Sequence, residues 1–539
     1  MISPPFAQAV SRDNICKSTR FPSYCSSVLP GDDSDVHDFG RFSLRKSLSE
    51  SRNFLNSVNN YLQRNSDTLS VPTIRALQDC RELLALNVDL LANVVGTLNK
   101  TSKLLSSLKG DDLQTCLSTV LTNFQTCSDG LESSPSVKND LLQAISDGSK
   151  LHSISLALCT QGWVPRERDA ESRQPRRHPV SLTGRLPMKL SNRNRAVYDW
   201  ARSHHRGRKL LQVGDESVVV KDIVVVSKDG SNGSFTSIND AIAVAPNNSA
   251  ASGGYFLIYV TAGIYEEYVS IASNKKYLFL LGDGINQTII TGNHSVGDGS
   301  TTFNSGTLIV TGQGFLAVDI TVRNTAGPSK GQAVALRSGA DLSTFYRCSF
   351  EAYQDTLYTH SNRQFYRECD VYGTVDFIFG NAAVVLQKCN LYPRLPNPGQ
   401  FNPITAQGRT DPNQNTGTSI QNCTVRAAAD LAASNGTTKT YLGRPWKEYS
   451  RTVYMQSFLD RVINDPAGWH EWSGDFAKST LYYAEYANTG PGSNTTGRVT
   501  WPGYHVIGAT DAANFTVSTF LLGDNWLPMT GVPYTAGLV

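Results

Sequence analysis

Several patterns are missing from this chain, and each absence excludes a class of protein. The 539 residues include ten cysteines, but no CxxC pair and no Cys/His group at zinc spacing, so neither a metal site nor a cofactor is expected. No apolar run is long enough to span a membrane. Met1–Val10 has no hydrophobic signal core, so a secretion signal would have to lie upstream of residue 1.

Composition and length describe a folded protein of two or three domains. The formal net charge of +3 is unevenly distributed. Residues 1–211 carry 28 Lys and Arg against 20 Asp and Glu, whereas residues 212–539 carry 21 against 26. The second part is therefore mildly acidic and is not expected to bind nucleic acid or another polyanion tightly.

The chain carries many Asn-x-Ser/Thr acceptor sites for N-glycosylation, which favours a secreted protein and an oxidising compartment for its cysteines. If the chain is not secreted, these tripeptides are coincidental. The sites include Asn99, Asn232, Asn286, Asn293, Asn422, Asn435, Asn494 and Asn514.

Residues 1–160 are predicted to form an all-α four-helix bundle, because apolar residues recur there with a period near 3.6 and the connections are short. The predicted helices are Ser43–Leu62, Thr73–Leu98, Asp111–Leu131 and Pro135–Leu158. Residues 161–211 are rich in Arg and Pro and show no period, which indicates a basic linker. The linker ends in Arg208-Lys209-Leu210-Leu211, a dibasic sequence that is either a processing site or simply solvated chain.

Residues 212–539 are predicted to be all-β, with short strands rich in Val, Ile, Tyr and Thr. Cys348, Cys369 and Cys389 follow one another at steps of 21 and 20 residues, each within a similar short segment. Such a period without intervening helices is typical of a parallel β-helix. The interval from Cys389 to Cys423 is 34 residues, so a loop must leave the coil there.

Two aspartates share this period. Asp355 and Asp376 are 21 residues apart, so we expect them at the same position on neighbouring coils, about 5 Å apart. Gln332 lies 22 residues before Gln354 and should fall close to the same column. Neighbouring carboxylates repel, so one pKa should rise and the pair can divide general acid and nucleophile roles. A stacked Asp ladder can also be a structural cap of a turn.

The residues around Asp376 favour the chemical interpretation. Val375 and Phe377–Phe379 are apolar, and a carboxylate buried among them is costly without a partner. We therefore expect a cation nearby, and Arg444 is the candidate.

Five segments resemble, in order, the signature blocks of the pectin methylesterases, and the resemblance runs from about residue 221 to the C-terminus. Residues 1–160 resemble the pectin methylesterase inhibitor domain that precedes many plant enzymes, and Arg208–Leu211 resembles the processing site between the two. The five blocks are Gly263–Glu267, Gln332–Arg337, Gln354–Tyr358, Asp376–Gly380 and Leu442–Trp446.

The resemblance implies a right-handed parallel β-helix that hydrolyses the C6 methyl esters of homogalacturonan in the plant cell wall. It implies that Asp376 is the nucleophile and that Asp355 is the general acid and then the base. Gln332 and Gln354 would stabilise the oxyanion, and Arg444 would orient Asp376. Substrate contacts are implied for Thr302 and Trp446, although a Trp after Arg-Pro can also be a packed turn.

The resemblance also implies disulfides and partners. Cys16–Cys25 and Cys80–Cys127 match the inhibitor arrangement, and we expect the additional Cys116 and Cys159 to pair. Cys369 and Cys389 can form a disulfide between coils or remain stacked free thiols. The implied partners are pectin, a subtilisin-like processing protease and proteinaceous inhibitors, and the implied state is a monomer.

Three alternatives remain for the chemistry. Gly327–Gly331 fits the G-x-S-x-G pattern with Ser329 as nucleophile, but a strand-like segment follows where a helix is required. Pectate lyases and polygalacturonases are also β-helices, although a lyase would need an acidic calcium cluster. The third alternative is a carbohydrate-binding or inhibitor protein without activity of its own.

Overall fold

The computed structural model describes residues 11–31, 34–65, 68–165, 187–204 and 218–539, and the chain divides into two compact units. The first unit comprises the N-terminal helices together with Arg409–Thr416, and the second comprises the β-strands. In the described ranges, no helix is long and apolar enough to cross a membrane. The predicted processing site, Arg208–Leu211, lies outside the described residues.

The predicted four-helix bundle is confirmed. The four long helices of this unit pack so that each contacts the next and the last contacts the first. Leucines repeating at helical spacing fill the centre, including the buried Leu91, Leu117 and Leu156. The helices of this unit are α1 Arg12–Cys16, α2 Pro22–Val28, α3 Val36–Asn65, α4 Val71–Leu98, α5 Ser107–Gly130 and α6 Pro135–Trp163.

Two disulfides stabilise the bundle. Cys16–Cys25 joins α1 to α2, and Cys80–Cys127 joins α4 to α5. The expected pairing of Cys116 with Cys159 is wrong, because neither forms a disulfide. Cys116 Sγ lies 3.9 Å from the Leu90 carbonyl oxygen, whereas Cys159 is enclosed in the apolar centre of the bundle.

Arg409–Thr416 contributes polar contacts within the first unit. Gln414 Nε2 donates to the Ser118 carbonyl oxygen at 3.0 Å, and Asn415 Nδ2 donates to Thr115 Oγ1 at 2.8 Å. The Ser153 hydroxyl donates to the Asp411 carboxylate. Asp411, Gln414 and Asn415 are all buried. This segment falls within the long interval between Cys389 and Cys423, where a loop is predicted to leave the coil.

The second unit is a parallel β-helix, in which successive coils add one strand to each of three parallel sheets. Sheet 1 contains Met188–Lys189, Val218–Val226, Tyr255–Val260, Leu278–Leu281, Leu316–Val318, Ser343–Tyr346, Arg363–Arg367, Ala383–Gln387, Gly417–Gln421, Arg451–Met455, Tyr482–Tyr486 and Tyr504–Val506. Sheet 2 contains Gly263–Glu266, Thr288–Gly292, Thr321–Asn324, Ser349–Glu351, Asp370–Gly373, Asn390–Pro393, Thr424–Val425 and Phe458–Leu459. Sheet 3 contains Val269–Ile271, Leu308–Val310, Leu336–Ser338, Leu357–Thr359, Ile378–Gly380, Asn402–Gln407 and Thr440–Gly443. Short helices α8 to α11 are Ile238–Val244, Ala429–Ala432, Ala509–Ala512 and Val517–Phe520, and α7 is Asn192–His204.

The strand register confirms the predicted coil period. Ser349 pairs with Asp370, and Asp370 pairs with Asn390, which are steps of 21 and 20 residues. Equivalent side chains therefore stack along the interior, as the Phe345 and Tyr366 rings do at 4.7 Å between centroids.

The cysteines that mark the period are stacked free thiols. Cys348, Cys369, Cys389 and Cys423 are all buried and none is oxidised. Cys369 and Cys389 therefore do not form a disulfide, and the alternative of stacked free thiols is the one observed. Cys369 Sγ contacts the Phe345 carbonyl oxygen at 3.4 Å, and Cys389 Sγ contacts the Tyr366 carbonyl oxygen at 3.6 Å, so backbone oxygens of the preceding coil hold each thiol.

The predicted linker is wrong for part of its length. Met188–Lys189 pairs with Val218–Val219, and α7 packs Tyr198 against Tyr259 with ring centroids 5.3 Å apart. The segment has few apolar residues, but burial of their side chains stabilises the strand and the helix. The buried residues are Met188, Leu190, Tyr198 and Ala201.

A buried ion pair in the last coils yields a stability prediction. Glu485 accepts hydrogen bonds from Arg498 Nε at 2.8 Å and from Tyr504 Oη at 3.1 Å, and both members of the ion pair are nearly inaccessible. Arg498→Met leaves the carboxylate uncompensated and should lower the free energy of unfolding by about 3–5 kcal/mol. Denaturant unfolding measures this loss. The exposed control Arg461→Met should change stability by less than about 0.5 kcal/mol, and equal effects of both variants would contradict the prediction.

Candidate active site

The two aspartates predicted to share a column lie at the start of sheet 3. Leu357 pairs with Ile378, so Asp355 and Asp376, each two residues earlier, occupy the same position on adjacent coils. The Asp355 amide donates to the Val375 carbonyl oxygen at 3.1 Å, which continues the ladder between the coils up to this point. The 21-residue spacing thus produces the predicted register.

Both aspartates sit at an unusual backbone conformation. Asp355 has φ of 64° and Asp376 has φ of 52°, in the left-handed region that Asp and Asn tolerate better than most residues. Val334 and Pro403, at the corresponding positions of the flanking coils, lack a positive φ. The sharp bend is therefore specific to the aspartates on this side of the coil, and such strain is frequent at functional sites.

Arg444 is the cation that the buried Asp376 requires. Its Nε donates to Asp376 Oδ1 at 2.9 Å and its Nη2 donates to Oδ2 at 2.7 Å, which is a bidentate pair. The Asp376 side chain is 8% exposed and that of Arg444 is 19% exposed, so solvent screens the pair only partly.

The two carboxyl groups have different protonation preferences. Burial, followed by the negative charge of Asp376, raises the pKa of Asp355 well above its ordinary value. Burial also raises the pKa of Asp376, but the hydrogen bonds and charge of Arg444 oppose that increase. The site therefore favours a protonated Asp355 beside an ionised Asp376.

Gln332 and Gln354 lie half-buried beside the aspartates. The Ala333 amide donates to the Gln354 carbonyl oxygen at 3.2 Å, so Gln332 is displaced by one position from Gln354 on the neighbouring coil. Thr302 is half-buried in the turn that precedes the Leu308–Val310 strand of the same sheet. The predicted amides thus lie at the start of sheet 3, and Thr302 lies in a turn that leads into the same sheet.

Trp446 combines a packing contact with partial exposure. A Cβ atom on Gly408 would lie 2.8 Å from Trp446 Cε3, so the ring packs closely on that glycine. Trp446 also makes an edge contact with Phe379 at 6.0 Å between centroids. The rest of the Trp446 surface is half-exposed.

The structure adds residues that the sequence interpretation missed. Arg337, Tyr358 and Phe379 share one register position at the same 21-residue step. The Tyr358 and Phe379 rings stack with centroids 4.2 Å apart, whereas the Arg337 guanidinium lies over the Phe303 ring. Applying the coil period to the whole edge would have found them. Phe401, His470 and Trp472 surround Arg444, and no repeat in the sequence points to these three.

The remaining candidates do not assemble a site. Ser329 lies in the short 3-10 turn Pro328–Lys330, and the next element is the Leu336–Ser338 strand, so the helix required by the G-x-S-x-G motif is missing. Within the described ranges, no three His, Cys, Asp or Glu side chains are grouped to hold a metal ion.

Known proteins share both parts of this architecture. Residues 223–524 match the family described as Pectinesterase, and residues 11–158 match the family described as Plant invertase/pectin methylesterase inhibitor. The chain is similar to Probable pectinesterase/pectinesterase inhibitor 20 of Arabidopsis thaliana, with 58% identity over 99% of this chain and 95% of that protein. It is 50% identical to Pectinesterase 2 of Citrus sinensis over 86% of this chain and 82% of that protein.

A solved structure resembles the second unit. The pectin methylesterase from carrot aligns with a TM-score of 0.57 and 55% identity, covering 58% of this chain and 98% of the carrot chain. With the aspartate column, its arginine and both family matches, these findings show that the chain belongs to the pectinesterase family of carboxylic ester hydrolases and carries an N-terminal domain of the pectin methylesterase inhibitor type.

Proposed function

We propose that this pectinesterase hydrolyses the C6 methyl esters of homogalacturonan with Asp376 as nucleophile and Asp355 as general acid and then base. The observation that carries the proposal is the bidentate Arg444–Asp376 pair next to a second aspartate whose pKa is raised. One carboxylate is kept ionised for attack, and its neighbour retains a proton to give away.

The first half of the reaction forms an acyl-enzyme. Asp376 attacks the ester carbonyl carbon, and the amide groups of Gln332 and Gln354 donate to the oxygen that becomes negative. As the tetrahedral intermediate collapses, the C–O bond to the methoxy group breaks and Asp355 gives its proton to the departing methanol. The galacturonyl group is left bonded to Asp376 as an anhydride.

The second half regenerates the enzyme. Asp355, now ionised, takes a proton from a water molecule, and the hydroxide equivalent attacks the acyl carbon. Collapse of this intermediate restores ionised Asp376 next to protonated Asp355 and releases the galacturonic acid group, which then loses its proton to solvent. Thr302 and Trp446 are proposed to hold neighbouring sugar units, Trp446 through its half-exposed ring.

The inhibitor-type domain is proposed to regulate the enzyme before or after processing. Support comes from the buried Asp411, Gln414 and Asn415, whose hydrogen bonds within the first unit do not involve the processing site. A cut by a subtilisin-like protease at Arg208–Leu211 would leave these contacts in place. Release of the domain is then a separate step from cleavage.

Secretion to the cell wall and a monomeric state complete the proposal. The acceptor residues Asn435, Asn494 and Asn514 are exposed, as N-glycosylation requires. Glycan analysis of these three asparagines on protein secreted by plant cells tests the compartment.

Replacing the nucleophile should abolish ester hydrolysis. Asp376→Asn keeps the shape of the side chain but cannot attack, so methanol release from pectin should fall by at least about 10³-fold. The control Asp370→Asn changes a half-buried carboxylate in sheet 2 and should leave the rate within about twofold. The wild-type enzyme should release methanol without shortening the polymer. Chain cleavage would favour a lyase or polygalacturonase, and unchanged activity of Asp376→Asn would refute the assignment.

The raised pKa of Asp355 should appear in the stability of the protein. The folded state holds this proton more tightly than the unfolded chain, so the resulting stability is present below about pH 4 and is lost as pH rises through the folded pKa. Asparagine does not titrate, so the Asp355→Asn variant does not lose this stability as pH rises. Its free energy of unfolding should exceed that of wild type at neutral pH, and the difference should vanish in acid. Denaturant unfolding across pH measures both curves, and parallel curves would contradict the raised pKa.

Cleavage and release of the inhibitor-type domain can be separated experimentally. With a specific protease site in place of Arg208–Leu211, the two fragments should co-elute after cleavage. The pair Gln414→Ala and Asn415→Ala should let them separate, because the buried hydrogen bonds that both side-chain amides donate to the helices are lost. Methanol release should rise on separation. Separation of the wild-type fragments would refute the lasting association, and unchanged activity after separation would exclude simple autoinhibition.

A further inference from the structure

Arg394 lies directly after the Asn390–Pro393 strand of sheet 2 and binds the segment that leads into the aspartate column. Its Nη1 donates to the Ala352 carbonyl oxygen at 2.9 Å, and its Nη2 donates to the Tyr353 hydroxyl oxygen at 2.8 Å. Its Cζ lies 3.8 Å from the centroid of the Tyr353 ring, so the guanidinium also stacks on that ring. One side chain thus holds both a backbone carbonyl group and an aromatic ring immediately before Gln354.

Arg394 is itself anchored through its backbone. Its amide donates to the Gly373 carbonyl oxygen at 2.7 Å, and its carbonyl oxygen accepts from Asn402 Nδ2 at 2.8 Å. Asn402 is fully buried, and Arg394 Nε lies 3.5 Å from a carboxylate oxygen of Asp430. The strand before Arg394 belongs to the second coil after the one that contains Ala352. The guanidinium is therefore presented to Ala352 from an anchored position two coils away.

The segment held by Arg394 leads directly into two residues of the proposed mechanism. Gln354 follows Tyr353, and Asp355 comes next in a left-handed backbone conformation. Peptide groups are planar and rigid, so a displacement of the Tyr353 peptide group passes along the chain to both functional side chains. The coil ladder also holds this segment, because the Thr374 amide donates to the Tyr353 carbonyl oxygen at 2.9 Å. Arg394 adds a side-chain constraint one residue earlier.

A guanidinium close to the site could instead bind galacturonate carboxylates. The contacts of Arg394 favour positioning over this alternative. Nη1 and Nη2 both donate to the protein, Nε faces Asp430, and only 25% of the side chain is exposed. The two roles also differ in their kinetic effect, since a lost substrate contact raises KM and a misplaced catalytic group lowers kcat.

We propose that Arg394 is a positioning residue that fixes the Ala352–Tyr353 segment and thereby orients Gln354 and Asp355 for the transition state. The inference rests on the proposed roles of those two residues and adds a residue outside the five sequence blocks. Its effect falls on kcat, because a misplaced oxyanion donor and a misplaced acid stabilise the transition state less while the sugar contacts remain.

The variant Arg394→Met tests this role, because methionine fills similar space but has neither donors nor charge. The kcat for methanol release should fall by about ten- to a hundredfold, with KM within about twofold of wild type. Arg394→Lys keeps a cation that can reach one of the two acceptors, so it should recover part of the loss. Tyr353→Phe removes one acceptor and keeps the ring, and should lower kcat by about two- to tenfold.

A matched control lies on the following strand of sheet 2. Arg426 is exposed and comes directly after Thr424–Val425, so Arg426→Met should leave kcat and KM within about twofold of wild type. Denaturant unfolding establishes the folded fraction of each variant, and kcat is expressed per folded enzyme. An unchanged kcat in Arg394→Met would overturn the inference. A raised KM at constant kcat would also overturn it, because that result indicates a substrate contact.

The variant Gln354→Ala distinguishes this inference from the proposed function. If Gln354→Ala leaves kcat unchanged, the proposed oxyanion donor is wrong, whatever the result at Arg394. If Gln354→Ala lowers kcat and Arg394→Met does not, only the inference fails. Since Arg394 is proposed to act partly through Gln354, the double variant should lose less than the product of the two single losses. Losses that multiply fully would contradict the proposed coupling.

Discussion

Parallel stacking of coils at a step of 21 residues places Asp355 and Asp376 at the same position on neighbouring coils, and the rest of the site depends on this register. Two carboxylates one strand spacing apart in a buried turn cannot both ionise at low cost. One carboxyl group therefore keeps a proton while the other is ionised, and both halves of the proposed ester hydrolysis require this state. The reactive pair is thus a direct consequence of how the fold repeats, together with the identity of two residues.

Repulsion alone does not decide which aspartate keeps the proton. Arg444 does so by binding only Asp376, with both carboxylate oxygens engaged. The positive charge of Arg444 also lowers the pKa of Asp355, but burial and the charge of Asp376 raise that pKa by more. The asymmetry between the proposed acid and nucleophile therefore comes from an arginine 68 residues after Asp376, just beyond the strand that ends at Gly443.

Sequence reasoning works where the chain repeats. The cysteine steps predict the coil, and the same step predicts the register of Asp355 with Asp376; it would also have predicted the column of Arg337, Tyr358 and Phe379. Helical periodicity predicts the bundle in the same way.

Sequence reasoning fails where the spacing is irregular or where partners are distant. After Cys389 the coils include long excursions, so counting cannot place Phe401 beside Arg444 or His470 on the Phe401 ring. Met188–Lys189 and α7 are structured because a few apolar residues of this segment pack against sheet 1. The composition of the segment does not reveal this packing. The thiols of Cys369 and Cys389 have the spacing for a disulfide, but backbone carbonyls hold them instead.

The distance in sequence between Asp376 and Arg444 has a consequence for folding. Until the strand ending at Gly443 has joined sheet 3, Asp376 is a carboxyl group whose burial is not offset by Arg444, and it should remain a neutral acid. Chemical competence therefore follows the packing of the last coils, so a chain that has folded only its earlier coils holds both aspartates and is still inert.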